Sequence, residues 1–237
     1  MAGVIPRTVW AVVPAAGRGA RFGGDVPKQY LEVAGRSLLE HSLRALLSHP
    51  DVAGAMVALA PDDGRWPGWT SLCGKPVLHC DGGGERADSV QAALRALPPS
   101  VPGDALVLVH DAARPNLAAS DLDRLIDISM DSPDGAILAA PVRDTLKRAD
   151  GAGCIDATVP REALWRALTP QAFRRDALVH ALESARAAGV VMTDEAMAIE
   201  RTGGRPVLVE GREDNLKVTT PADLRLAEFL LSRRSPG

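Results

Sequence analysis

Short apolar runs punctuate the chain at Val9–Pro14, Ala55–Ala60, Val77–Cys80, Ala105–Val109, Ala136–Pro141 and Pro206–Val209. Longer amphipathic stretches separate them, and that alternation predicts a mostly parallel sheet covered by helices. Ser37 stands three residues before Glu40, a capping pattern, and Leu38, Leu39, Leu43, Leu46 and Leu47 then recur at helical spacing. Ala87–Leu97, Ser120–Ser129, Phe173–Ala188 and Ala222–Leu231 read as helices in the same way. The fold class this predicts is α/β: a Rossmann-like, mostly parallel sheet with helices on both faces.

One segment breaks the alternation. Between Arg143 and Thr169 a Gly-rich turn at Asp150–Gly153 is flanked by short runs of mixed polarity, which predicts a β-hairpin arm projecting from the sheet at about 143–169. Such an arm carries too few apolar residues to stand alone, so a homodimer in which it packs on a partner subunit is the expectation. With 237 residues and no repeat or low-complexity linker, the chain 1–237 reads as a single domain with this excursion.

The first strand runs directly into Pro14-Ala15-Ala16-Gly17-Arg18-Gly19-Ala20-Arg21-Phe22, with Val26-Pro27-Lys28-Gln29 close behind. Small residues let backbone N–H groups approach phosphate oxygens, and successive amides in a tight loop form a concave anion site. Arg18, Arg21 and Lys28 add full charges, so the stretch reads as a polyphosphate cradle. Two better-known nucleotide motifs fail on spacing. Counting G-x-G-x-x-G from Gly17 puts Phe22 where the last glycine belongs, and no acidic residue follows about 20 positions on at a second strand end. No Gly-Lys-Ser/Thr occurs either, since Gly74-Lys75 is followed by Pro76.

Composition narrows the partners. A hydrophobic share of 46% and a charged share of 24% belong to an ordinary globule. With 27 basic against 30 acidic residues, a net charge of −3 and no basic stripe, nucleic acid is not an expected partner. No apolar run approaches the length of a membrane span, and three cysteines without C-x-x-C spacing point to a reducing compartment, so a cytoplasmic protein is expected. The five histidines do not group with the cysteines, and no structural metal site is predicted.

Ligands of open α/β sheets gather at the carboxyl ends of strands. Besides the first loop, those positions hold Asp81–Ser89 with its glycine triplet, His110–Pro115, and Asp214–Thr219. The ordered set PAAGRGARF, VPKQY, GGGERADSV, HDAARP, APVRDTLKR, ALTPQAF, TDEAMAIE and VEGREDNLKVTTPADL resembles the 2-C-methyl-D-erythritol 4-phosphate cytidylyltransferases of the non-mevalonate isoprenoid pathway. The ribitol-5-phosphate cytidylyltransferases share the first loop and HDAARP; VPKQY and TDEAMAIE look more like the erythritol enzymes. A reading from another class is a nucleotide-binding regulator that has lost turnover, which predicts damaged cations, yet Arg21, Lys28, Arg161 and Lys217 are all present.

The resemblance implies transfer of a cytidylyl group from CTP to the erythritol phosphate, with release of pyrophosphate. Arg21 and Lys28 are then the catalytic cations, against the blander reading that they only anchor the triphosphate. Pro14, Ala15, Ala16 and Gly17 would meet ribose and phosphates, and Gly83, Gly84 and Ser89 would approach base and sugar. The glycine run also serves as a tight strand-to-helix turn. Lys217 and Arg161 are implied to hold the erythritol phosphate, although spacing alone would make Arg161 a solvated arm charge. Thr145, Thr169 and Thr193 resemble positions that touch the polyol phosphate, while Asp194-Glu195 reads as a capping box at a helix start. Asp111 can hydrogen-bond a polyol hydroxyl or orient Mg2+, and Arg114 can pair with Asp111 or meet phosphate. Mg2+ is expected as a cofactor bound mainly through the CTP phosphates. His110 reads as structural. The chain departs from its relatives at Gly84, Pro160 and Met197.

Overall fold

The computed structural model of the chain describes residues 8–17 and 26–233. In chain order the elements are β1 (Val9–Pro14), β2 (Glu32–Val33), β3 (Arg36–Ser37), α1 (Leu38–Leu47), β4 (Val52–Leu59), β5 (Ser71–Leu72), β6 (Lys75–Asp81), α2 (Arg86–Ala96), β7 (Leu106–Val109) and α3 (Ala119–Asp131). They continue with β8 (Ala136–Pro141), β9 (Leu146–Ala149), β10 (Ile155–Val159), β11 (Trp165–Arg174), α4 (Arg175–Ala187), α5 (Glu195–Arg201), β12 (Val207–Glu210) and α6 (Pro221–Ser232).

The main sheet has eight strands in the order β12-β8-β11-β7-β1-β4-β6-β5. Strands β7, β1, β4 and β6 run parallel, as do β12 and β8, whereas β11 and β5 are antiparallel to their neighbours. The chain steps outward from β1 through β4 to β6 and then returns to place β7 on the other side of β1. That reversal opens a crevice at the carboxyl ends of these strands, where open α/β sheets take their ligands.

Alternation along β1 fills both layers. Val9, Ala11 and Val13 join the core under α1 and α3 with Leu39, Leu43, Leu46 and Leu125, while Trp10 and Val12 join the opposite core under α2, α4 and α5 with Leu94, Leu178 and Ile199. Helix α1 starts where the sequence places it, because the Ser37 hydroxyl accepts the Glu40 N–H at 3.1 Å.

Two expectations change. The arm is real but shorter than 143–169, since only β9 and β10 form the separate antiparallel ribbon and Trp165 already lies in the main sheet. The helix expected from Phe173 begins at Arg175, because Phe173 is a strand residue packed in the core beneath α4. The charged run Arg174-Arg175-Asp176 marks the junction, with Arg174 closing the strand and Asp176 in the first turn of the helix.

Candidate active site

Four loops close around a cavity of about 160 Å³ at the crevice. Pro14, Ala15, Ala16, Gly17, Lys28, Gly83, Gly84, Ser89, Asp111 and Lys217 line it together, with Gln29, Glu85, Arg86, Ala112 and Ala113. All ten of the first group were expected from sequence, and they come from segments up to about two hundred residues apart.

The loops are held by specific bonds. Ala15 donates its N–H to the Ala58 carbonyl at 2.8 Å, and Gly82 donates to Leu59 at 2.7 Å, so the loops that follow β1 and β6 are both tied to the end of β4, the strand between them. A Cβ on Gly82 would stand 2.6 Å from the Ala16 Cβ and 2.9 Å from the Ser89 Oγ. Glycine therefore sets the spacing of the two loops. The Ser89 hydroxyl accepts the Gly83 N–H at 3.1 Å and shapes the turn into α2. On the far side, the buried Gln29 amide donates to the Ala15 carbonyl at 2.7 Å, and the Tyr30 hydroxyl donates to Asp63 at 2.7 Å. These two bonds anchor the segment that carries Lys28.

Asp111 is the electrostatic centre. Its Oδ1 accepts from Arg86 Nε at 3.0 Å, and its Oδ2 meets Lys217 Nζ at 2.9 Å and Arg114 Nε at 3.3 Å. Burial alone would raise this carboxyl, but the charges of Arg86, Lys217 and Arg114 outweigh burial and hold it well below the usual carboxylate range. Arg86 also forks onto Glu195, with bonds of 2.6 and 3.0 Å to its two oxygens. Burial works against the Arg86 charge, and the two carboxylates more than compensate, so the guanidinium stays protonated.

Arg114 and Thr169 sit behind the cavity wall rather than on it. Arg114 donates to the Asn215 carbonyl at 2.7 Å, and burial lowers its pKa while Asp111 partly offsets the effect. Asn215 Nδ2 donates to the Thr169 carbonyl at 2.8 Å, and Val218 N–H donates to Ala113 at 2.8 Å. This lacing sets the segment that presents Lys217. The Thr169 hydroxyl accepts the Asp111 N–H at 3.0 Å and lies 3.0 Å from His110 Nδ1. His110 is wholly buried and pairs through Nε2 with the Arg114 carbonyl at 3.1 Å; burial, partly opposed by Asp111, lowers its pKa to about 4. A neutral imidazole that accepts from Thr169 and donates to Arg114 satisfies both bonds.

Among the described residues, Thr145, Arg161 and Thr193 do not line the cavity. Thr145 and Arg161 are exposed beside the arm, where the Arg161 guanidinium donates to the Arg143 carbonyl. Thr193 is exposed before α5, with its hydroxyl 3.5 Å from Met197 Sδ. Arg21 lies outside the described residues.

Sequence reasoning passed over Gln29, Arg86 and Glu195. Asp194 does cap α5, accepting the Met197 N–H at 3.0 Å, but Glu195 turns inward onto Arg86. The available signal was an arginine directly after a glycine loop and an acidic pair at a helix start where capping needs only one member.

A mostly parallel sheet whose switch-point crevice carries a small-residue anion loop and a ring of cations defines a nucleotidyltransferase of the α/β class. The family model described as 2-C-methyl-D-erythritol 4-phosphate cytidylyltransferase matches residues 9–233, and the chain belongs to that family of enzymes. A relative of that name from Xanthomonas campestris is 66% identical over 230 residues, covering 97% of this chain and 87% of its own length. One from Stenotrophomonas maltophilia is 65% identical over 227 residues, covering 96% and 98%. Among solved structures, a 4-diphosphocytidyl-2C-methyl-D-erythritol synthase superposes with a TM-score of 0.82 at 36% identity, covering 95% of this chain and 99% of its own.

Proposed function

We propose that the chain transfers the cytidylyl group of CTP to 2-C-methyl-D-erythritol 4-phosphate, releasing pyrophosphate and forming 4-diphosphocytidyl-2-C-methyl-D-erythritol for isoprenoid precursor synthesis. The observation that carries this reading is the convergence of the Pro14–Gly17 loop, Lys28, Gly83, Gly84, Ser89, Asp111 and Lys217 on one cavity. The acceptor is a phosphate monoester whose second pKa is about 6, so it is mostly dianionic at neutral pH and attacks the α-phosphate without a general base. His110 agrees with this, because both of its nitrogens are occupied by Thr169 and Arg114.

What the protein must supply is alignment and charge. The backbone of Ala15, Ala16 and Gly17 meets ribose and phosphates, the Ala15 N–H itself being taken by the Ala58 carbonyl, and the Gly83–Ser89 loop reads cytosine and sugar. Arg21 and Lys28 stabilise the α-phosphate as it is attacked, and Lys217 holds the incoming phosphate. Asp111 and Arg114 orient Lys217 and the segment that bears it, whereas Thr169 fixes the Asp111 backbone. Among the described residues no group of three His, Cys, Asp or Glu side chains is placed to hold a metal ion. Both oxygens of Asp111 are engaged by cations, so we assign Mg2+ to the triphosphate, entering with CTP and supplying charge neutralisation.

The working form is proposed to be a homodimer. The ribbon of β9 and β10 stands apart from the main sheet with Ile155 exposed, and a lone two-stranded ribbon is at best marginally stable in water. A partner subunit that covers it would bring Thr145, Arg161 and, across the crevice rim, Thr193 to a neighbouring site. Among the described residues no helix is long and apolar enough to cross a membrane, and the three cysteines are unpaired. We place the enzyme in the cytoplasm on that support.

Pyrophosphate release with CTP, measured in parallel with 2-C-methyl-D-erythritol 4-phosphate and ribitol 5-phosphate, tests the substrate. Faster release with ribitol 5-phosphate would replace this reading with the ribitol one. For the dimer, Arg21→Ala and Arg161→Ala chains are inactive alone and regain activity when mixed; absence of recovery contradicts a shared site.

A further inference from the structure

A buried relay of charge runs behind the cavity. Gln171 on β11 donates to Asp194 Oδ2 at 3.0 Å and accepts the Ala196 N–H at 2.9 Å, which fastens the first turn of α5 to the central sheet. With Asp194 occupied as the cap, the adjacent Glu195 side chain is 1% exposed and directed onto Arg86. Arg86 is the first residue of α2, directly after the loop that lines the cavity, so its guanidinium bridges two carboxylates carried by distant segments.

The geometry of the bridge is directional. A planar guanidinium that gives two parallel bonds to Glu195 has its plane fixed, and its remaining Nε–H then points at Asp111 Oδ1. That bond sets the rotation of the Asp111 carboxylate and leaves Oδ2 turned to Lys217. Two carboxylates stand against Arg86, Arg114 and Lys217, so the group carries one surplus positive charge, at the place where a phosphate would arrive.

We propose that Glu195 is a positioning residue for the transfer reaction, acting through Arg86 to set Asp111 and thereby the aim of Lys217. This rests on the functional reading above. Glu195 itself is not among the residues that line the cavity. Losing one oxygen of the fork frees the guanidinium to tilt, and Asp111 turns with it.

The test uses the full chain in four forms: wild type, Glu195→Gln, Arg86→Gln and the double variant, with Arg86→Lys as a fifth. Glu195→Gln is close to isosteric, and thermal unfolding with circular dichroism checks that it folds. The expected result is a fall of about tenfold or more in kcat at saturating substrates, as small misplacements of reacting groups produce. The dissociation constant of CTP should stay within about threefold, because the loop amides that hold it are untouched. The double variant should be no slower than Arg86→Gln, since the proposed route from Glu195 to the site runs through Arg86. Arg86→Lys keeps the charge but not the fork, and should be as slow as Arg86→Gln.

Glu195→Gln with kcat within about twofold of wild type, even if less heat-stable, would overturn the proposal and leave Glu195 a structural residue. A Glu195 effect that persists in full on top of Arg86→Gln, or a wild-type rate in Arg86→Lys, would overturn it as well. Wild-type protein that releases no pyrophosphate with the erythritol phosphate would remove both this proposal and the functional reading. An active wild type with an unaffected Glu195→Gln removes only this one.

Discussion

His110 offers a stability measurement that reports directly on the wall of the site. It is fully buried, and burial is the main cause that lowers its pKa from 6.5 to about 4, with the adjacent Asp111 charge opposing. A base with a lower pKa in the folded state binds fewer protons there than in the unfolded chain, so its contribution is fully present above about pH 6.5 and is lost as pH falls toward 4. A drop from 6.5 to about 4 corresponds to about 3 kcal/mol. The structural reason is plain: Nδ1 now accepts from the Thr169 hydroxyl, so a second proton there would force that hydroxyl to turn its own proton away and would leave a charge buried in the wall. Urea unfolding of wild type and His110→Gln at fixed protein concentration between pH 7.5 and 4 isolates the effect, because carboxylates such as Asp111 titrate in both forms. The stability advantage of wild type over the variant should be flat above about pH 7 and shrink by about 3 kcal/mol by pH 4. An advantage that stays constant to within about 0.5 kcal/mol over that range, or an imidazole resonance titrating near 6.5, would refute the reasoning.

Further outcomes follow from individual positions. Gly82→Ala forces a Cβ into Ala16 and Ser89, so the loops part and the KM for CTP should rise by about tenfold or more, whereas Gly84→Ala meets nothing within 4 Å and should stay within about threefold. Steady-state pyrophosphate release compares the two, and equal effects would contradict the spacing role of Gly82. Lys28→Ala should lower kcat on the order of 10²-fold, as loss of a group that stabilises developing charge does, with little change in CTP affinity. A rise in KM alone would make Lys28 an anchor. Ser37→Ala removes the hydroxyl that accepts the Glu40 N–H and should cost about 1 kcal/mol in chemical denaturation without altering turnover.

Much of the fold is visible in the chain because its signals are local. Val9–Pro14 and Ala136–Pro141 stand out as apolar runs next to turn residues, and the Ser37 cap sits at a fixed offset from the leucines it precedes. The cavity loops were legible for a similar reason, since a parallel sheet brings every strand's carboxyl end to one edge and the small residues there are easily counted. Three features were hidden because each depends on partners far away in sequence. Trp165–Arg174 is a strand through its antiparallel pairing with β7 and β8, which the local pattern does not announce. Arg86 and Glu195 are 109 positions apart and find one another only once α2 and α5 are placed. Arg114 pairs with Asp111, one of the two roles its sequence offered, while its bond to the Asn215 carbonyl and that of Thr169 to the Asp111 N–H join residues far apart in the chain. A threonine or arginine in a motif carries the same letter whether it faces a ligand or the wall behind it.

The central claim is that the bond broken lies between the α- and β-phosphates of CTP and that the new bond joins the α-phosphate to the erythritol phosphate. Incubating the protein with CTP labelled at either the α- or the γ-phosphate, together with 2-C-methyl-D-erythritol 4-phosphate, follows both fragments at once. The account predicts that α-label appears in a cytidine diphosphate-linked polyol and γ-label in pyrophosphate, in equal amounts. Label from the γ-position in the polyol, or tight CTP binding with no label transferred, would contradict it.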